Sequence, residues 1–198
     1  MEKRVPPGQI VSRIVWPVLS ATDTPKIDTS SYRLKVYGSV EREVSLGWEQ
    51  LMAMPRAKLV LDMHCVTRWS RLGDEWEGVR IKDLLKMAGA RGGYLMLRSS
   101  YVDYSANVPI SYIDDNCLVA FGWNGKPLEP AHGGPVRAFI PTLYAWKSAK
   151  WLDGIEVMNG DRPGFWELRG YNMRGDYWKE ERYWEGVNFV SKLQFWKK

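Results

Sequence analysis

Cysteine and histidine are scarce, with two of each among 198 residues. Their spacing matches none of the usual zinc-ligand patterns, which excludes a structural zinc site built from this chain alone. Apolar runs are short: nowhere do roughly 18 apolar residues follow one another, so no membrane-spanning helix is expected. The opening stretch "MEKRVPPGQIVSRIVWPVLS" has a Lys-Arg pair but then two prolines instead of an apolar run. It does not read as a secretory or twin-arginine signal. The expectation is a cytoplasmic protein in which Cys65 and Cys117 stay reduced. Net charge is +5, yet the basic residues are scattered and only "WKK" at the end forms a cluster. With no basic helix or recognition motif, a nucleic-acid partner is not expected. Internal repeats and linker-like segments are missing too, so residues 1–198 read as a single domain.

Aromatic residues are plentiful, with 11 Trp and 10 Tyr spread along the whole chain. Such rings bury much area and keep one polar atom to aim, so they suit both a core and the walls of a site. Residues 1–30, rich in Pro, Ser and Thr, read as an extended lead-in. In "SYRLKVYGSV" Tyr32, Leu34 and Val36 alternate with Arg33 and Lys35, the pattern of a half-buried strand. "SLGWEQLMAMP" predicts a short helix capped by Ser45 and stopped by Pro55. "AKLVLDMHCV" predicts a strand that runs into Cys65. "VRIKDLLKMAGARGG" spaces Val79, Leu84, Leu85 and Met87 as a helix that ends at Gly89. Four further strands are predicted in "YLMLRSS", "CLVAFGW", "VRAFI" and "WLDGIEVM", with a tight turn at "WNGKP". Residues 161–198 lack periodicity and read as a wrapping segment. The class implied is a strand-rich α+β domain.

The thiol in "LDMHCVTRWS" admits three readings. It is a small inert core residue, a nucleophile, or a soft ligand to a metal whose other ligands come from a cofactor. His64 sits next to it in sequence and so points to the opposite face of a strand, a poor place for a general base. A second segment, "PLEPAHGGPVRAFIPTLYAWKSAKW" at 127–151, joins a His-Gly-Gly-Pro-x-Arg turn to a Trp-Lys-Ser-x-Lys run. Paired glycines let backbone amides approach a ligand closely. Arg137, Ser148 and Lys150 offer donors of the kind that a phosphate needs.

Taken in order, "LDMHCVTRWS", "WEGVRIKDLL", "YSANVPI", "WNGKPLEPAHGGPVRAFIPTLYAWKSAKWL" and "GFWELRGYNMRGDYWKEERYW" resemble the sulfite-oxidase-type molybdopterin oxidoreductases. The chain is most similar to the short single-domain prokaryotic members of that family, over roughly residues 13–185. The resemblance implies that family's molybdopterin-binding fold and a molybdenum–molybdopterin cofactor. Cys65 falls where the family has its metal-ligating cysteine, with the pterin dithiolene bringing the other sulfur ligands. His132 and Arg137 match positions that hold the pterin and its phosphate. Ser148 and Lys150 match the loop over the same phosphate, and Ser99 matches a strand-end hydroxyl that touches the cofactor. Tyr104 falls where the oxidases place a tyrosine beside the metal. The stretch Trp16–Ser20 corresponds to an N-terminal cofactor-contacting segment.

Two departures stand out. Lys147 replaces an arginine of the sulfite oxidases, and Thr67-Arg68-Trp69-Ser70 replaces their Asn-Arg-Arg run. Lysine is a point charge where arginine is a bidentate fork, so Arg68 and Lys147 are the expected substrate anchors of a pocket less committed to sulfite. Trp69 and Trp146 make that pocket more apolar. The implied activity is oxygen-atom transfer to or from a small sulfur-centred or other oxo compound. No fused haem domain is present, so a separate electron-transfer protein is implied. The alternative is a non-catalytic pterin-binding scaffold that keeps the fold.

Overall fold

The computed structural model describes residues 4–13 and 16–184. In chain order the strands are β1 (Ile10–Val11), β2 (Arg33–Gly38), β3 (Val44–Gly47), β4 (Ala57–His64), β5 (Trp69–Arg80), β6 (Tyr94–Ser99) and β7 (Tyr104–Pro109). They continue with β8 (Leu118–Trp123), β9 (Lys126–Pro127), β10 (Arg137–Phe139) and β11 (Gly154–Met158). Two helices interrupt them: α1 (Trp48–Met52) after β3, and α2 (Ile81–Ala88) after β5. One sheet runs β1-β5-β8-β10, with β4 also on β5 and β9 on β8; the other runs β3-β2-β11-β6-β7. Only β1–β5 and β2–β11 pair in parallel; the remaining pairs are antiparallel. This is the strand-rich α+β architecture that the pattern predicts. No helix among the described residues is long and apolar enough to cross a membrane.

The sheets meet over one apolar core. Val79, Val119 and Ala138 of the first sheet share a cluster with Leu34, Leu97 and Ile155 of the second. Alternation drives this in β2, where Leu34 and Val36 are fully buried, Arg33 and Lys35 exposed and Tyr37 half-buried. Tyr32, just before β2, joins that face and donates its hydroxyl to Leu152 O at 2.6 Å. Helix α2 buries Ile81, Leu84, Leu85 and Ala88 on one face. It stops at Gly89, whose φ of 63° gives the left-handed cap.

Three details differ from the sequence reading. The cap of α1 is Gly47, whose N–H donates to the Gln50 side chain at 2.9 Å, while Ser45 is a strand residue paired with Lys35. Ladder hydrogen bonds outcompete the capping preference there. Val79 belongs to β5 and not to α2. Strands β5 and β7 carry no simple alternation and escape pattern reading. In β5 this has two causes: Asp74 is buried because Arg71 donates to it at 2.6 and 2.8 Å, and a bulge breaks the register at Gly78. A Cβ at Gly78 would lie 2.4 Å from Val119 O, so the close strand approach requires glycine. Residues 161–184 form a turn at Glu167–Arg169 and a bridge between Tyr171 and Tyr183. The rest of the expected wrapping segment, with the basic terminus, lies outside the described residues.

Leu97 sits fully buried in β6 at the centre of the shared core. Leu97→Ala should lower unfolding free energy by about 2–5 kcal/mol, read from urea midpoints.

Candidate active site

The turn that joins β4 to β5 carries Cys65. Within it Cys65 N donates to Trp69 O at 2.9 Å and Arg68 N to Cys65 O at 3.1 Å. Both ends of the described chain grip it from outside. Gln9 Nε2 donates to Cys65 O at 3.0 Å, and Arg182 Nη1 to Val66 O at 2.7 Å. The sulfur lies 3.2 Å from Thr67 Oγ1. Burial pushes the thiol's pKa up; the Thr67 hydroxyl, the amides of Thr67 and Val66 and the Arg182 charge oppose that. His64 turns the other way, with Nδ1 2.8 Å from Ser70 Oγ and its ring 4.4 Å from Tyr177. Burial lowers its pKa to about 4, so the ring is neutral at ordinary pH.

Cys65 opens on a cleft of about 240 Å³. One end is cationic. Arg137 on β10 is 3% exposed, and its guanidinium donates to Ala138 O, His132 O and Ser148 O at 3.2, 2.8 and 2.9 Å. Lys150 donates to Leu19 O at 2.9 Å and Ala131 O at 2.7 Å. Gly133, at φ 103°, lets the two stems approach: a Cβ there would lie 3.0 Å from Lys150 Cβ and 3.1 Å from Arg137 Cβ. His132 stacks on Trp16 at 3.8 Å, and burial followed by the charges of Lys150 and Arg137 pushes it down to about 4. Burial pushes Arg137 to about 10; burial and then Arg137 push Lys150 to about 8. Among the described residues no acidic side chain lines the cleft, and no carboxylate pairs with Arg137 or Lys150. A buried and a half-buried cation that meet carbonyl oxygens and indole faces but no carboxylate are poised for an anionic guest.

The other walls are aromatic. Trp69, Trp146, Trp166 and Tyr171 pack around Cys65, with Trp166 and Tyr171 stacked at 4.9 Å and Tyr171 edge-on to Trp146 at 5.1 Å. Tyr104, at the start of β7, donates its hydroxyl to Trp146 O at 2.5 Å. Burial raises its pKa far above the ordinary phenol value. The indole N–H of Trp69 is buried with no partner.

Cys65, Tyr104, His132, Arg137, Ser148 and Lys150 therefore converge on one cleft, together with Trp16, Pro17, Leu19 and Ser20 from the lead-in. Three expected residues do not. Arg68 is exposed and absent from the lining; its φ of 75° swings it outward, where Nη1 would lie 2.7 Å from a Cβ on Gly8. Lys147 is fully buried behind the wall, 2.6 Å from Glu167 Oε1. It donates to Asn107 O, Asn107 Oδ1 and Met173 O at 3.0, 2.7 and 2.6 Å. The expectation that Arg68 and Lys147 anchor a substrate is thus corrected: neither side chain lines the cleft. Ser99 is buried near the β6–β7 hairpin with its hydroxyl unpartnered, also off the lining. Sequence reasoning missed Trp166, Tyr171 and Glu167. Trp166 and Tyr171 are signalled by aromatic density in a segment without periodicity, and all three lie in the block "GFWELRGYNMRGDYWKEERYW" that carries part of the family resemblance.

Among the described residues no group of three or more His, Cys, Asp or Glu side chains could hold a metal ion. One thiol beside two cations without counterions suits a group that brings its own soft ligands and its own negative charge.

A family model for the oxidoreductase molybdopterin binding domain matches residues 21–166. An uncharacterized oxidoreductase of Bacillus subtilis is 43% identical over 184 residues, which cover 91% of this chain and 92% of that protein. The protein-methionine-sulfoxide reductase catalytic subunit of Campylobacter jejuni is 26% identical, over 76% of this chain and 57% of its own. Mitochondrial sulfite oxidase of Mus musculus is 26% identical, over 92% of this chain but 38% of its own. The crystal structure of the sulfane dehydrogenase SoxCD from Paracoccus pantotrophus superposes with a TM-score of 0.62 at 22% identity. That match covers 69% of this chain and 40% of that one, a likeness of fold.

Removing one partner of the buried Lys147–Glu167 pair should be costly. Lys147→Met is expected to destabilise the protein by about 3–5 kcal/mol, and adding Glu167→Gln should recover part of that loss in the double variant. Lys150 titrates near 8 when folded but at its ordinary 10.5 when unfolded. Between those values the unfolded chain binds the extra proton, so this group's contribution to stability rises with pH. In cofactor-free protein, urea unfolding from pH 8 to 10 should therefore favour wild type progressively over Lys150→Met.

Proposed function

The chain belongs to the oxidoreductase molybdopterin binding domain family, and on that premise we propose that it transfers an oxygen atom to or from a small sulfur-centred substrate. One observation carries the reading: a solitary buried thiol opens on a cleft whose two cations have no counterion among the described residues. Cys65 would supply the protein's ligand to the molybdenum. Arg137 and Lys150 would hold the phosphate of the pterin group, with Ser148 and the neutral ring of His132 beside them.

When bound, the cofactor supplies two-electron chemistry coupled to oxygen-atom exchange. The balance is substrate plus water on one side, and oxygenated substrate plus two protons and two electrons on the other. The electrons pass to or from a separate carrier protein; the methionine-sulfoxide reductase relative is itself named a catalytic subunit. The chain's own part is positional. The clamped turn holds the thiol in place, and the aromatic wall excludes water, which strengthens each polar contact inside. Tyr104 presents a protonated hydroxyl at any working pH, because burial holds it neutral. Turned from Trp146 O, that hydroxyl would donate to an oxygen at the reacting face. A cytoplasmic site of action belongs to the same reading and suits two buried cysteines that are both free.

Protein purified from a molybdenum-competent host should carry close to one molybdenum and one pterin per chain. Cys65→Ser should fold with an unchanged circular dichroism spectrum yet lose activity by more than about 100-fold, beyond the effect of losing an outer-sphere partner. Retained activity in that variant would refute the ligand role.

A further inference from the structure

Both cations that the sequence offers for a substrate anion are withdrawn from the reacting face. Arg68 is outside the cleft. Lys147 lies behind Trp146, its nitrogen 5.9 Å from the ring centroid, and is fully buried. An ammonium has three protons, and here four acceptors surround it: Glu167 Oε1, Asn107 O, Asn107 Oδ1 and Met173 O, all within 3.0 Å. Nothing is left for a ligand, and the Glu167 carboxylate cancels the charge. The same carboxylate oxygen accepts the Trp146 indole N–H at 2.8 Å, so one acid both neutralises the lysine and fixes the wall.

What faces Cys65 away from Arg137 and Lys150 is hydrocarbon and rings: Val102, Trp146, Trp166 and Tyr171. Among the described residues the polar groups on that part of the lining are uncharged hydroxyls, those of Thr67, Tyr104 and Tyr171, with Thr67 Oγ1 3.2 Å from the Cys65 sulfur. Bringing a dianion into such a place without a paired cation costs several kcal/mol. A neutral oxo group can accept from one of these hydroxyls, and an apolar substituent meets the rings.

We propose that the reacting face takes an uncharged oxo compound with an apolar substituent, a sulfoxide or the sulfide that results from it, and turns away the sulfite anion. Glu167 sets this preference by cancelling Lys147. The proposal rests on the molybdopterin reading above. Reduction of the sulfoxide consumes two electrons supplied through the carrier and two protons taken from solvent, and releases sulfide and water.

The test uses molybdenum-loaded wild type, in which the cofactor's own phosphate occupies Arg137 and Lys150. Equilibrium dialysis with radiolabelled sulfate, a tetrahedral dianion, is set beside dialysis with methyl phenyl sulfoxide. Wild type should hold the sulfoxide at least about 100-fold more tightly than sulfate, the ratio expected for leaving an anion unpaired. Glu167→Gln keeps an acceptor for Trp146 but frees the charge of Lys147. It should gain about 10-fold in sulfate affinity with little change toward the sulfoxide, a gain that loss of structure would not produce. Wild type that binds sulfate as tightly as the sulfoxide overturns the proposal, as does loaded wild type that binds neither. A Glu167→Gln protein with no gain removes Glu167 from it. Metal and pterin analysis of the same samples separates the two claims: loaded protein that prefers sulfate defeats only this inference, whereas protein free of molybdenum and pterin defeats the functional reading itself.

Discussion

A guanidinium held almost wholly out of water by carbonyl oxygens and indole faces, with no carboxylate beside it among the described residues, is an unfinished electrostatic arrangement. Arg137 is in that position, and much of the molecule is organised around it. Strand β10 delivers it between the two sheets. The left-handed Gly133 lets the Lys150 stem come alongside, and the following loop supplies Ser148 O as an acceptor. Burial lowers the pKa values of Arg137, Lys150 and His132 together, and the neighbouring cations add to this for Lys150 and His132. Such a cluster weakens the empty protein and stabilises the one that holds an anion. Binding energy is thus stored in the fold before the cofactor arrives.

Lys147, ten residues further on, shows the opposite solution to the same problem. Its charge is fully buried, but an acid, a side-chain amide and two carbonyls complete it internally. The two solutions divide the cleft. Where cations stay unmatched, the site suits a phosphate-bearing group. Where the cation is matched, the wall is electrically neutral and aromatic. Segments far apart in sequence meet there: Gln9 and Arg182 grip the Cys65 turn from outside, and Glu167 ties the C-terminal segment to the loop that carries Trp146.

The sequence by itself determined a good deal. The two-residue alternation of β2, the helical spacing and glycine stop of α2, and the strand running into Cys65 all follow from local side-chain chemistry and appear as read. Arg137, Ser148 and Lys150 were legible as donors near a Gly-Gly bend because such donors at short spacing require little tertiary context to suggest a phosphate, whereas Cys65 stayed open among three readings until the family resemblance gave it and His132 their roles. Tyr104 came from the family resemblance.

Tertiary structure decided what depends on direction and pairing. Strand β5 hides its role because its buried acid is neutralised by Arg71, three residues earlier, and its bulge breaks the alternation. Ser45 lost its cap to a ladder that forms only once β2 lies alongside. Arg68 and Lys147 look like anchors in a string of letters; a positive φ turned one outward, and an acid twenty residues downstream absorbed the other. Charge is written in the sequence, but whether a charge is free depends on which carboxylate the folded chain brings within hydrogen-bond reach.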